Sequence, residues 1–176
     1  MSIITQTYED FIKSKIVNYE ASGFDIEIEE LNPKLFDWQK HIVKWALAKG
    51  KCAIFADCGL GKTAMQLEWA FQVAKKTSGK VIIVAPLAVS AQTIQEGKKF
   101  DIHVVNVKTE SDCTVKITNY EQLEKINPED YTGIVLDESS ILKNYTGQTK
   151  RLLIQMFEGC QYKLACTATP SPSRLS

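Results

Sequence analysis

This sequence predicts an α/β fold: an open, mostly parallel sheet with helices on both faces. Three observations carry that expectation. Strand-like and helix-like segments alternate along most of the chain. Two of the strand-like segments, Val81-Ile-Ile-Val-Ala85 and Ile134-Val-Leu136, are continuous apolar runs, as expected of parallel strands covered on both sides. Residues 56–63, Ala-Asp-Cys-Gly-Leu-Gly-Lys-Thr, join an apolar strand-like run to a helical pattern through a tight, glycine-containing loop.

The elements follow in order. Tyr8, Phe11, Ile12, Ile16 and Tyr19 recur at three-four spacing, which predicts an amphipathic helix over 7–19 with Thr7 as its cap. Ser22-Gly23 breaks it, and Phe24, Ile26 and Ile28 alternate with acids as in a short edge strand. Asn32-Pro33 marks a turn. A helix over 37–48 carries Trp38, Ile42, Val43, Trp45 and Ala46 and stops near Gly50. Trp38 and Trp45 lie seven apart on one helix face and are expected in the core. Strands are expected at 52–56, 81–85, 103–107, 115–118, 133–136 and 162–166. Helices are expected at 62–77, 88–99, 120–126 and 147–157. The first of these shows one apolar face of Leu67, Ala70, Phe71 and Ala74.

Composition excludes several function classes. The chain has 21 basic and 21 acidic residues, so no global positive field marks it for nucleic acid, and any such contact must be local. Its apolar stretches are strand-sized, too short for a membrane span, and its N-terminus lacks a signal-peptide core. Five cysteines without a Cys-x-x-Cys pair, and two isolated histidines, fit neither a disulfide framework nor a zinc site. A reducing cytoplasm is the expected compartment.

The loop at 56–63 is where chemistry concentrates. Strand, loop and helix in that order aim successive backbone N–H groups at one point, with the positive end of the helix dipole behind them. Asp57, Cys58, Gly59, Leu60 and Gly61 form that loop, and Lys62 adds a charge suited to the β- and γ-phosphates of a nucleotide. Thr63 supplies a hydroxyl for the Mg²⁺ that bridges them. A Gly-Lys-Thr starts some helices by chance, but these flanks are those of a P-loop. Its first glycine is replaced by Ala56, which can turn there if its φ is below zero.

A second motif, Gly133-Ile-Val-Leu-Asp137-Glu138-Ser-Ser140, is a buried strand ending in two acids. Alone this is a weak signal, because many strands end in solvated acids. Beside a P-loop, Asp137 reads as the carboxylate that holds Mg²⁺ and Glu138 as the base that polarises water for attack on the γ-phosphate.

A third element, Thr167-Ala168-Thr169-Pro170, completes a pattern. P-loop, Asp-Glu pair and Thr-Ala-Thr-Pro in this order resemble the first RecA-like lobe of superfamily-two helicases and translocases. Lys143-Asn144 after the acids resembles the Swi/Snf-type, DEAD/DEAH-like branch. Leu35-Phe-Asp-Trp38-Gln39 is similar to that branch's adenine-side Q-motif, Ala85-Pro86-Leu87 to motif Ia, and Ile117-Thr-Asn-Tyr120-Glu121 to motif Ib. The resemblance spans residues 31–170, leaving 1–30 as an N-terminal helical or extended extension and 31–176 as the lobe. Compact phage and prophage helicase-like proteins resemble it most in flavour.

The resemblance implies ATP and Mg²⁺ as ligands, Gln39 as the adenine reader, and Thr167 and Thr169 as the link between ATP and nucleic acid. It implies backbone contacts to nucleic acid, DNA rather than RNA, from Pro86, Leu87 and Tyr120, with Lys143 as a phosphate contact. Turn capping is the plain alternative for the two threonines, and core packing for Tyr120. The family's second RecA-like lobe, which brings an arginine finger, is absent from a chain that stops at Ser176, so weak turnover is expected from this lobe alone. Ser139-Ser140 stands where the family has Ala-His or Ala-Asp, which leaves open the coupling contact of that last residue. Two other activities stay open: a double-stranded DNA translocase that never separates strands, and a small P-loop phosphotransferase.

Overall fold

A computed structural model describes residues 21–109, 112–140 and 147–168. The expected 7–19 helix, Lys143 and Thr169 lie outside them. Four α-helices are described: α1 (Asp37–Lys49), α2 (Lys62–Thr77), α3 (Leu87–Lys99) and α4 (Gly147–Phe157). Six strands, β1 (Lys51–Phe55), β2 (Val81–Ala85), β3 (Val104–Asn106), β4 (Val115–Asn119), β5 (Gly133–Leu136) and β6 (Tyr162–Thr167), form one sheet in the order β1-β6-β5-β2-β4-β3. Every pairing is parallel.

The order follows from handed connections. From β1 to β2 and from β2 to β3 the chain steps one way across the sheet, and α2 and α3 cover one face. From β4 to β5 and from β5 to β6 it steps back, so α4 and the 3-10 helix Tyr120–Lys125 cover the other. Right-handed crossovers require that exchange of faces when the direction reverses. The return inserts β6 between β1 and β5, which brings three strand ends side by side: Phe55, Thr167 and the residues after Leu136.

Alternation along β2 shows why its run is apolar throughout. Val81, Ile83 and Ala85 enter the core under α1, α2 and α3, while Ile82 and Val84 enter the one with Leu123, Leu153 and Phe157. All five β2 side chains are buried, and full burial of a large aliphatic contributes about 1.5–3 kcal/mol.

Four expectations are corrected. Residues 24–28 do not form a strand. Ser22 and Phe24 donate to Lys49 and Leu47 carbonyls at the end of α1, and a 3-10 helix follows at Ile28–Glu30, with the Glu27 N–H held by Glu30 Oε1 at 3.2 Å. Anchoring on α1 directs Ile26 and Leu31 into the core, so apolar alternation there reflects burial and not sheet pairing. Residues 120–126 form the 3-10 helix Tyr120–Lys125, capped by Asn119 Oδ1 on the Gln122 N–H at 3.1 Å; Asn127-Pro128 soon ends it. Trp38 and Trp45 are 43% and 47% exposed, because α1 buries Gln39, Val43, Ala46 and Leu47 and the tryptophans sit on the adjoining stripe. Finally, α2 is buried on nearly all sides, Gln66, Glu68 and Gln72 included, while Phe71 of its expected apolar face is exposed. The remaining elements within the described residues lie within about two residues of expectation. No helix among the described residues is long and apolar enough to cross a membrane.

Candidate functional site

The loop after β1 turns through two left-handed glycines, Gly59 at φ 83° and Gly61 at φ 68°. Ala56 keeps φ out of that region, so the missing first glycine costs the turn nothing. Asp57, Cys58, Gly59 and Leu60 form an exposed arch in which Asp57 Oδ1 accepts the Cys58 N–H at 2.7 Å. The Lys62 ammonium folds over the arch and donates to the carbonyls of Ala56 at 2.8 Å and Asp57 at 3.1 Å. Helix α2 begins at Lys62, and its first-turn N–H groups have no helical partner of their own. A cavity of about 270 Å³ opens here, lined by Gly59, Gly61, Lys62 and Thr63 with Gln92 and Glu96 of α3. Loop amides, a lysine and a helix N-terminus around such a space form an anion-binding concavity.

Gln39 is buried against this loop. Its Oε1 accepts the Phe36 N–H at 3.0 Å, which starts α1, and its Nε2 donates to Leu60 O at 3.3 Å. A Cβ on Gly61 would collide with that Nε2. Gln39 is therefore a strut between the start of α1 and the loop after β1.

The acids follow β5. Asp137 donates its N–H to Val84 O at 2.8 Å, and its Oδ1 accepts from Gln66 Nε2 at 2.7 Å and from the Glu138 N–H at 3.0 Å. Burial pushes the Asp137 carboxyl up. The Gln66 and Glu138 donors oppose the rise, the Glu138 charge adds to it and Lys62 opposes it. Glu138 sits at φ 48°, a left-handed conformation that costs a side-chain-bearing residue roughly 1–2 kcal/mol. Its Oε1 accepts from Thr167 Oγ1 at 2.8 Å and from Ser140 Oγ. Burial raises the Glu138 carboxyl, but donors from Ser140, Thr167 and the Ala168 backbone, with the Lys62 charge, outweigh it and hold the group below the ordinary range. Two adjacent half-buried carboxylates thus titrate in opposite directions: desolvation dominates at Asp137 and raises it, whereas hydrogen-bond donors and Lys62 dominate at Glu138 and lower it.

Hard oxygen donors suit Mg²⁺ at this place. Asp137 brings one carboxylate and Thr63 one half-buried hydroxyl at the start of α2. Among the described residues no three His, Cys, Asp or Glu side chains converge as a metal cage. One or two protein oxygens completed by substrate phosphates and water is the arrangement Mg²⁺ prefers.

Lys62, Thr63, Asp137, Glu138 and Thr167 are thus gathered at three neighbouring strand ends. Pro86 caps α3, and Leu87 is exposed at its first position. Tyr120 is not a surface contact: it is 2% exposed and its hydroxyl donates to Asp137 O at 2.7 Å. The ring is packed beneath the acidic turn, which corrects its expected nucleic-acid contact. Ser140, whose partner the motif left open, reaches Glu138. Sequence reasoning missed Gln66, although its place one turn after Lys62 on the same helix face was a readable signal.

The DEAD/DEAH box helicase family matches residues 36–176. The mouse (Mus musculus) protein "DNA annealing helicase and endonuclease ZRANB3" is 25% identical across 92% of this chain, which spans 17% of that protein. Among solved structures, the Sulfolobus solfataricus SWI2/SNF2 ATPase core in complex with dsDNA superposes with a TM-score of 0.69 at 24% identity, over 85% of this chain and 35% of that one. The UvsW helicase from bacteriophage T4 superposes at 0.67 and 16% identity, over 93% of this chain and 60% of that one. The fold is that of a RecA-like lobe.

Proposed function

The chain belongs to the DEAD/DEAH box helicase family, and from that premise we propose that it is the first, ATP-binding lobe of a motor that hydrolyses Mg·ATP to move along nucleic acid. The observation that carries this reading is the convergence of Lys62, Asp137, Glu138 and Thr167 at adjacent strand ends, with Glu138 bonded to Thr167 at 2.8 Å. A second RecA-like lobe, in the same polypeptide or in trans, completes the site.

Phosphoryl transfer of this kind is chiefly positioning and charge stabilisation. The arch amides and Lys62 hold the β- and γ-phosphates; moving Lys62 from the neutral Ala56 and Asp57 carbonyls to phosphate oxygens gives the ammonium charged partners. Thr63 and Asp137 would hold Mg²⁺, which when bound would supply positive charge to offset that of the phosphates. Glu138, kept ionised, accepts the proton of a water aligned with the γ-phosphate, while Thr167 and Ser140 hold the carboxylate in place. Gln39 has a second Nε2 hydrogen for the adenine edge, so base contact would register on the phosphate loop through Leu60. Pro86 and Leu87 meet the nucleic-acid backbone, and DNA is the proposed substrate, in line with the mouse protein being a DNA annealing helicase and the Sulfolobus core being in complex with dsDNA. Thr169 and Lys143 complete the coupling and phosphate contacts.

Turnover and binding separate the claims. Glu138→Gln is expected to retain ATP affinity and abolish hydrolysis, measured by nucleotide titration and phosphate release with and without DNA. Wild-type turnover in that variant removes the assignment. Strand displacement by a two-lobe protein separates unwinding from translocation along an intact duplex.

A further inference from the structure

No motif reading uses Gln66. It lies one helical turn after Lys62 and Thr63 and is 0% exposed. Its Nε2 donates to Asp137 Oδ1 at 2.7 Å, joining the phosphate-binding helix to the end of β5 across 71 residues of sequence. Its Oε1 has no hydrogen-bond partner among the described residues. As a core residue this is a poor choice: a buried amide with half its polar atoms unmatched is less stabilising than an apolar side chain of equal length. Such departures from good core chemistry collect at functional sites.

The bond falls where it has leverage. Asp137 Oδ1 takes both side-chain-directed donors, Gln66 Nε2 and the Glu138 N–H, so one carboxylate oxygen is pinned from two sides. The Asp137 backbone is held separately, by Val84 O and the Tyr120 hydroxyl, and neither of those bonds sets its side-chain torsion. Of the two donors that do, the Glu138 N–H belongs to a residue in the left-handed region, whereas Gln66 rides on a buried helix.

We propose that Gln66 is a positioning residue for the metal-holding carboxylate. Its amide anchors Asp137 Oδ1, leaves Oδ2 for the hydration shell of Mg²⁺, and ties that carboxylate to the helical turn that carries Lys62 and Thr63. Phosphate-binding and cation-binding groups then move as one unit. The inference rests on the Mg·ATP reading above and adds a residue to it. Gln66 touches neither nucleotide nor cation; it acts through Asp137.

The test compares ATP affinity of the whole chain in Mg²⁺ with its affinity in EDTA, by calorimetric titration of Gln66→Met, Asp137→Asn and the double variant, alongside melting temperatures. Methionine keeps length and burial and removes the donor. The Mg²⁺-dependent gain in affinity is expected to fall about ten-fold or more in Gln66→Met, the scale seen when an outer partner of a metal ligand is removed. Affinity in EDTA stays near that of the parent, and in the Asp137→Asn background Gln66→Met changes nothing further. A ratio of Mg²⁺ to EDTA affinity equal to the parent's overturns the proposal, even if both affinities or the melting temperature drop, because a purely structural role predicts that pattern. Should Gln66→Met not fold, Gln66→Asn, whose amide is one methylene too short to reach, is read by the same ratio. A parent chain that binds no ATP in either condition overturns the nucleotide reading itself, and this inference with it.

Discussion

Gly59 and Gly61 offer a paired experiment, because they share one backbone constraint and differ in one contact. Both have left-handed φ, 83° and 68°. An alanine in that region costs roughly 1–2 kcal/mol at either position. A Cβ on Gly59 meets nothing within 4 Å, so Gly59→Ala should cost that torsional amount and no more. A Cβ on Gly61 meets Gln39 Nε2, the atom bonded to Leu60 O. Gln39 must shift, losing a bond whose net worth is about 1 kcal/mol and leaving a buried amide short of a partner, a penalty of about 1–3 kcal/mol. Counting the lost bond and the unpartnered amide as one penalty, Gly61→Ala is therefore expected to destabilise by about 2–5 kcal/mol. Urea denaturation measures both, and ATP titration should show the larger loss for Gly61→Ala, since the strut sets the loop that carries the amides. In a Gln39→Ala background the excess at Gly61 should disappear, as a double-mutant cycle requires of a direct contact. Equal destabilisation of the two alanine variants, or an excess at Gly61 that survives removal of Gln39, refutes the strut.

Three further outcomes follow from the electrostatics. Thr167→Val removes a donor from Glu138, so its carboxyl rises toward the ordinary range and the acid limb of the pH–turnover profile moves to higher pH; an unmoved limb removes Thr167 from that role. Glu68 is buried, and burial raises its carboxyl more than the Gln72 and Asn32 donors and the Lys75 charge lower it. The folded state therefore binds its proton more tightly than the unfolded one, and stability is lost as pH rises from the ordinary value of 4.5 through the raised one. Glu68→Gln, which keeps an acceptor without the charge, should gain stability over the parent as pH rises through that window; denaturation at several pH values tests it, and a pH-independent difference sinks it. Burial pushes the Cys166 thiol to about 12 and the Cys52 thiol to about 11, whereas Cys58 stands exposed on the arch. Iodoacetamide should label Cys58 before the other four cysteines, and ATP should slow it; mass spectrometry of early labelling would expose the opposite order.

Local chemistry made much of this protein legible in its sequence. Continuous apolar runs mark β2 and β5 because parallel strands are buried on both faces, and Gly-Leu-Gly-Lys-Thr marks the loop because few residues tolerate left-handed turns at a helix start. Strand ends place ligand-binding loops in such sheets, so Lys62 and Asp137 could be assigned to one site before their separation in space was known. What the tertiary structure decided are the relations that depend on strand order and packing. Only the insertion of β6 between β1 and β5 puts Thr167 against Glu138, and only the fit of α2 beneath β5 turns Gln66 from a helix glutamine into the partner of Asp137. Burial decided the aromatic residues: Tyr120, at the end of a strand, packs inward under the acidic turn, while Trp38 and Trp45 stay outside a helix whose buried stripe passes through Gln39. The physical reason is one of range. Propensity, turn chemistry and periodicity act within a few residues, whereas the direction of a side chain relative to a distant carboxylate is set by how layers stack, and no local pattern encodes that.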